Sequence, residues 1–232
     1  MLDKPVILYW IRRDLRICDN PALNEAVNSG ALVVPVFIYD EWFSELGAAP
    51  KFRLEKSLLS LQKQYERLGS YLLIKKGPAG CVLHDLIKET RATSVVWARD
   101  LDPKAIARDS EIKKNLKANG ISVKSFRGQV LFEPWTVSTK TGGFYRVYTP
   151  FWNSVRDRDV ERSLQSPKSV SSPRLRPNTL SVGDLNLANK MSRGSKILSK
   201  YVEAGELAAQ TKLRTFLDGP VSTIRTTGIY RK

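Results

Sequence analysis

Arginine and aspartate side chains follow three of the β-rich runs in the sequence, at the points where these runs end. Ligands of open parallel sheets bind outside the carboxyl ends of the strands, so these side chains are expected to line one crevice. Guanidinium groups offer forks of donors to phosphates or ring carbonyls, and aspartates accept from ring N–H or hydroxyl groups, so the site suits a polar planar ligand. The predicted cofactor-binding residues are Arg12, Asp14, Asp40, Arg99, Asp100 and Asp102.

Each of these residues also has a structural alternative, because polar side chains near a turn often pair with one another or cap a helix. Asp14, Arg16 and Asp19 would pair in this way beside a helix start at residue 20. The prediction therefore rests on the cluster and not on any single member.

The sequence offers no signature of several common enzyme classes. No glycine-rich dinucleotide fingerprint follows the first β-rich run, and no Walker-type loop occurs, which disfavours a nicotinamide enzyme or a nucleotide hydrolase. His84 is the only histidine, and Cys18 and Cys81 are too few for a Cys/His zinc site or a disulfide framework. We predict no catalytic residue and no metal ligand.

Short β-rich runs alternate with longer amphipathic segments, and this order predicts an α/β fold: a Rossmann-like, five-stranded parallel sheet with helices on both faces. Apolar residues at helical spacing predict a helix over residues 52–69 that closes on Gly69. Asn20 and Asp102 each precede a proline, an arrangement typical of a helix start. The β-rich runs are residues 5–10, 31–39, 71–75, 94–97 and 121–126.

The chain of 232 residues has a formal net charge of +15, and 42% of its residues are hydrophobic. The hydrophobic content is ordinary for a protein with a core, and the positive charge makes nucleic acid the first partner to consider and an anionic membrane surface the second. Residues 151–232 hold 15 basic and 7 acidic residues, so the tail is the more basic part. No stretch approaches the roughly 20 apolar residues of a membrane span and no signal-peptide layout occurs, so we expect a cytoplasmic protein without a membrane partner.

The tail divides into a polar stretch and an amphipathic segment. Residues 166–178 are rich in serine, proline and arginine and predict an exposed linker. This linker favours a short helical C-terminal tail that frays or self-associates over one that docks back on the sheet. Four apolar residues of the tail lie on roughly one face of its predicted helix, over residues 204–217: Leu207, Leu213, Phe216 and Leu217.

The opening stretch of the sequence carries a specific resemblance. Residues 10–23, WIRRDLRICDNPAL, closely resemble the N-terminal signature of the DNA photolyase and cryptochrome family. Three later segments resemble the same family: VPVFIYD at 34–40, DLDP at 100–103 and YRVYTPF at 145–151. The resemblance covers residues 5–160 and implies the family's α/β antenna domain, for which we expect the strand order 3-2-1-4-5.

The resemblance also implies a domain organisation: an antenna domain over 1–160, a linker over 161–180, and the truncated start of the helical flavin-binding domain over 181–232. In the family the helical domain holds FAD, which drives the blue-light repair of pyrimidine dimers, a lyase reaction on a flipped-out substrate. Ile224 and Gly228 stand where the family has a tyrosine and an arginine near the flavin. We therefore expect neither FAD binding nor repair by this chain alone.

Two light-harvesting chromophores are known in the family, and the resemblance distinguishes them. Asp100 and Asp102 match acidic positions that resemble deazaflavin contacts. The Asn–Glu pair of folate-type members falls at Lys104 and Ala105, which supply neither the amide nor the carboxylate. A deazaflavin is therefore favoured over a folate.

Two rival functions stay open at this point. A nucleotide or small-molecule sensor of the universal-stress-protein kind shares a similar sheet, but it would need a glycine-rich phosphate loop where residues 97–100 read WARD. The other rival is a non-catalytic protein that binds DNA or a partner through its basic tail. As partners we expect DNA, bound weakly and electrostatically, and either a separate helical domain or a second copy of the chain.

Overall fold

A parallel five-stranded sheet forms the centre of the computed structural model, which describes residues 4–174 and 176–221. Its strands are β1 (Val6–Ile11), β2 (Leu32–Tyr39), β3 (Leu73–Lys76), β4 (Ser94–Ala98) and β5 (Ser122–Phe126). The order is β3-β2-β1-β4-β5 and all neighbours pair in parallel, so the predicted fold class and strand order are confirmed. The central strands β1, β2 and β4 are almost continuous apolar runs, because both faces of a parallel sheet are covered.

Helices pack on both faces of the sheet. Within the described residues the α-helices are α1 (Pro21–Asn28), α2 (Glu41–Ser44), α3 (Ala48–Arg67), α4 (Ala79–Thr90), α5 (Pro103–Ala118), α6 (Tyr148–Val155), α7 (Arg193–Leu198) and α8 (Glu206–Asp218). Side chains of α1 and α3 join one core cluster with Tyr9 and Phe37 of the sheet. Side chains of α4 and α5 join a second cluster with Trp10 and Trp97. The strands thus separate two apolar cores.

The predicted helix ends are found in the structure. The Asn20 side chain accepts from the backbone N–H of Leu23 at 3.1 Å, and Asp102 accepts from that of Lys104 at 2.9 Å. The predicted helix over 52–69 is α3, and Gly69 follows it with a φ of +76°, the left-handed region that favours glycine. These caps fix where α1 and α5 start, directly beside the carboxyl ends of β1 and β4.

Residues 166–178 do not form the exposed linker that their composition predicts. Val170 is 1% exposed and belongs to the core cluster of α1 and α3. The carbonyl of Ser171 accepts from the backbone N–H of Val33 at 2.7 Å, which ties the segment to β2. One buried valine and the backbone hydrogen bonds around it hold the segment on the body, and a prediction from overall polarity misses such a contact.

The part of the tail that follows residue 178 also packs on the sheet domain. Val182, Leu185 and Leu187 are buried in the same core cluster, so the predicted loose tail is wrong for this part. The apolar stripe of α8 differs, because each of its four side chains keeps about half of its surface exposed. The domain boundaries near residues 160 and 180 stay predictions.

Candidate functional site

A small crevice lies at the carboxyl ends of β1, β2 and β4, where open parallel sheets bind their ligands. Its volume is only about 10 Å³. Three of the predicted residues line it: Arg12, Asp40 and Asp100. The other lining residues are Arg13, Trp42, Phe43 and Arg108.

Ion pairs hold the floor of the crevice together. Arg12 is 3% exposed, and its guanidinium group pairs with Asp109 of α5 and donates to the carbonyl of Ala98 at the end of β4. Arg108, also on α5, pairs with Asp40 at 2.5 Å and with Asp109 at 2.9 Å. Charged side chains therefore connect the carboxyl ends of β1, β2 and β4 with helix α5.

Three buried polar atoms at the crevice have no hydrogen-bond partner among the described residues: Trp10 Nε1, Arg12 Nε and Asp40 Oδ1. The Trp10 ring lies under both guanidinium groups, with its centroid 4.9 Å from the Arg12 Cζ atom and 5.1 Å from that of Arg108. Buried polar atoms are nearly always hydrogen-bonded in folded proteins. A ligand or an ordered water that enters the crevice would supply these partners.

Burial raises the pKa of the Asp40 carboxyl above its ordinary value. The Arg108 guanidinium opposes this rise without cancelling it, and so do the backbone N–H groups of Phe43 and Trp42, which lie near the carboxylate but outside hydrogen-bond geometry. The carboxylate charge at the crevice is therefore only partly compensated. A ligand N–H that donates to the unpaired oxygen would stabilise the charged form.

A stacked pair closes the mouth of the crevice. The Arg13 Cζ atom lies 5.1 Å from the Trp42 ring centroid, and Arg13 Nη1 lies 3.8 Å from Asp100 Oδ1. The Arg13 side chain is 49% exposed. Ion pairs of such exposed side chains contribute little energy, so Arg13 can move aside while the buried ion pairs stay intact.

Asp14 does not line the crevice and lies instead in a buried hydrogen-bond network. Its carboxylate accepts from the Tyr9 hydroxyl at 2.8 Å, from the Arg12 backbone N–H at 3.0 Å and from the Asn20 amide at 3.3 Å. Burial and the Asp14 charge raise the pKa of Tyr9, which keeps its hydroxyl protonated as a donor. Asp14 therefore takes a structural role that fixes the turn after β1.

Arg99 and Asp102 are also engaged outside the crevice. Arg99 pairs with Glu133 at 2.7 Å and donates to the carbonyl of Ser125 at 2.6 Å, while Asp102 caps α5 through the N–H of Lys104. Of the six predicted residues, three line the crevice and three lie outside it. The ligand contacts of all six residues stay predictions.

Sequence reasoning missed five residues of this site, one of which, Arg13, directly follows the predicted Arg12. Arg108 and Asp109 follow the capping Asp102 by about two helical turns, and that spacing was the available signal. Trp42 and Phe43 lie on the four-residue helix α2, which is too short to show a periodic pattern. These residues supply the aromatic wall and half of the charges.

A second, larger cleft of about 330 Å³ opens at the amino ends of β1, β4 and β5, beside α1. Its floor includes the buried side chains of Ile7 and Val96, and its charged groups, Glu25 and Lys124, pair with each other at 2.6 Å. None of its lining residues carries a buried polar side-chain atom that lacks a hydrogen-bond partner, whereas Arg12 and Asp40 of the crevice each carry one. The crevice is therefore the stronger candidate for a ligand site despite its smaller volume.

Neither a membrane span nor a metal cluster occurs in the described part of the chain. No helix in it is long and apolar enough to cross a membrane. No group of three or more histidine, cysteine, aspartate or glutamate side chains within residues 4–174 and 176–221 is placed to hold a metal ion.

An open parallel sheet with a crevice of arginine and aspartate at its strand ends is an architecture that often binds cofactors in α/β proteins. The chain belongs to the DNA photolyase family, whose model matches residues 7–169. This finding confirms the resemblance seen in the sequence.

Known relatives show the same membership. The deoxyribodipyrimidine photo-lyase of Agrobacterium fabrum is 40% identical over 216 residues, which cover 93% of this chain and 45% of the relative. The crystal structure of a class III photolyase from Agrobacterium tumefaciens superposes with a TM-score of 0.87 at 37% identity and covers 94% of this chain and 46% of that one. An archaeal photolyase from Sulfolobus tokodaii, solved with two FAD molecules, gives a TM-score of 0.65 at 25% identity, over 79% of this chain and 41% of that one. The chain spans less than half the length of these relatives and corresponds to their N-terminal domain.

Proposed function

We propose that this α/β domain binds a light-harvesting antenna chromophore in the crevice. The observation that carries the proposal is the buried Asp40 carboxylate, one oxygen of which has no hydrogen-bond partner among the described residues. A planar heterocycle with a ring N–H would donate to that oxygen, and its ring carbonyl would accept from Arg12 Nε. The Sulfolobus photolyase holds two FAD molecules, which imply a novel light-harvesting cofactor in that protein, and this supports the same role here.

Within this class we propose a deazaflavin before a folate. Asp40 and Asp100 would accept from the ring N–H groups of either chromophore. The preference rests on Lys104 and Ala105, which occupy the positions of the folate-type Asn–Glu pair and offer neither group. Ala105 is also buried at the start of α5, so it presents no polar atom of its side chain to a ligand.

The crevice must widen to accept such a ring. Its volume of about 10 Å³ is far below the roughly 300–1,000 Å³ of typical ligand pockets. Displacement of Arg13 from Trp42 would open the mouth and free the indole face to stack on the ring. The buried ion pairs beneath would remain as a rigid floor.

We further propose that light-driven repair of pyrimidine dimers in DNA, the activity of the wider family, requires a helical part that packs on this domain. Among the described residues, exposed large hydrophobic side chains are confined mainly to residues 130–217, and only Leu59 and Ile106 lie before them. Such a concentration typically marks an interaction surface. FAD would belong to the helical part; the positions expected near it, Ile224 and Gly228, lie outside the described residues.

Fluorescence titration tests the antenna proposal. We expect 8-hydroxy-5-deazariboflavin to bind this chain with a micromolar Kd and methenyltetrahydrofolate to bind more weakly. Asp100→Ala should weaken deazaflavin binding, because it removes an acceptor from the crevice.

The matched control is Asp85→Ala, which removes an exposed aspartate from α4 and should leave the affinity unchanged. Equal or tighter binding of the folate would overturn the choice of chromophore. Absence of binding by both compounds would overturn the antenna proposal itself.

A further inference from the structure

Glu206, the first residue of α8, reaches back to the loop that follows β1. Its carboxylate oxygens accept hydrogen bonds from the backbone N–H groups of Ile17 and Cys18, each at 2.8 Å. Hydrogen bonds to an ionised acceptor are among the stronger ones in proteins. The β1–α1 loop, residues 12–20, is thereby attached to α8.

The start of α8 is packed without spare room. Gly205 has a φ of +100°, and a Cβ atom at this position would collide with the side chain of Ser60 on α3. Only glycine combines this backbone conformation with such a close approach. The packing of α8 against α3 therefore holds Glu206 at a fixed distance from the loop.

The other end of the same loop carries the crevice residues Arg12 and Arg13. Between the two ends the backbone turns tightly, with the N–H of Arg16 donating to the carbonyl of Asp14 at 2.7 Å. A displacement of the anchored end would be transmitted through this turn to Arg13. The exposed Arg13 side chain would then lose its stack on Trp42.

We propose that Glu206 is a positioning residue that couples the packing of α8 to the geometry of the crevice mouth. Its effect on ligand affinity rests on the proposed antenna function, whereas its effect on the Arg13–Trp42 stack does not. Coupling free energies are reciprocal, so a chromophore in the crevice would also strengthen the packing of α8. A partner that packs on the exposed stripe of α8 would in turn change the geometry of the crevice mouth.

The variant Glu206→Gln tests this coupling, because it keeps the side-chain shape and removes the charge. We expect two changes: a shift of the Trp42 indole N–H signal in the NMR spectrum, assigned with Trp42→Phe, and a rise of the Kd for 8-hydroxy-5-deazariboflavin by about fivefold or more. Glu203→Gln, which changes an exposed glutamate just before α8, is the matched control and should change neither. Gly205→Ala should shift the Trp42 signal in the same direction as Glu206→Gln.

Each outcome decides the proposal. An unchanged Trp42 signal in folded Glu206→Gln protein overturns the coupling, and so does a shifted signal with an unchanged Kd in a protein that binds the chromophore. If the wild-type chain binds no deazaflavin, the antenna function fails, and the Trp42 signal alone still decides whether Glu206 positions the crevice mouth.

Discussion

Replacing Arg12 with methionine will lower the free energy of unfolding by about 3–5 kcal/mol, the cost of breaking a buried ion pair from one side. Arg12 is 3% exposed and pairs with Asp109, whose side chain is 12% exposed. Without Arg12, the Asp109 carboxylate keeps its ion pair with Arg108 but loses the one with residue 12. The carbonyl of Ala98 also loses the hydrogen bond that Arg12 donates. Urea denaturation followed by circular dichroism measures the loss.

A matched control comes from an exposed ion pair. Arg156→Met breaks a pair with Asp157, whose side chain is 83% exposed, and should cost less than about 1 kcal/mol. The double variant Arg12→Met/Asp109→Leu should recover part of the stability, because it leaves no buried charge unpaired. A loss below about 1 kcal/mol for Arg12→Met would mean that Arg108 alone compensates Asp109 and that the Arg12 ion pair does not hold the floor of the crevice.

Asp40→Asn will stabilise the free protein at pH 7 and weaken chromophore binding about tenfold or more, as expected when a hydrogen bond to a charged group is lost. Burial raises the pKa of Asp40, so the folded state disfavours its charged form. The stability that protonated Asp40 contributes is present below its unfolded pKa of about 3.9 and is lost as the pH rises through its higher folded value. An uncharged amide avoids that loss.

The advantage of Asp40→Asn over the wild type should therefore shrink as the pH falls towards the unfolded pKa. Urea denaturation at several pH values measures this change, and titration with 8-hydroxy-5-deazariboflavin measures the binding. A variant less stable than the wild type at pH 7 would show that the ion pair with Arg108 outweighs burial. Unchanged binding would remove Asp40 from the chromophore site.

The sheet and its helix starts could be predicted because their signals are local. The three central strands β1, β2 and β4 are almost entirely apolar, and Asn20 and Asp102 cap the helices that follow β1 and β4. The parallel order then required that polar residues at the strand ends meet at one edge. This reasoning located the crevice.

The individual side chains of the site could not be assigned in the same way, because their partners are distant in sequence. Arg99 is paired with Glu133, and Asp40 is paired with Arg108 of α5. Composition also failed for residues 166–178, where the buried Val170 joins the core and helps to hold the segment on the sheet domain. Such pairings depend on tertiary contacts that no sequence period indicates.

The central claim, that the crevice is the chromophore site, is tested most directly by a crystal structure of this chain grown with 8-hydroxy-5-deazariboflavin. We predict the ring against Trp42, with Arg13 displaced and a ring N–H about 3 Å from Asp40 Oδ1. A chromophore bound elsewhere, such as in the cleft beside α1, would contradict the claim. So would a structure at saturating chromophore in which Arg13 still stacks on Trp42 and the crevice holds no ring.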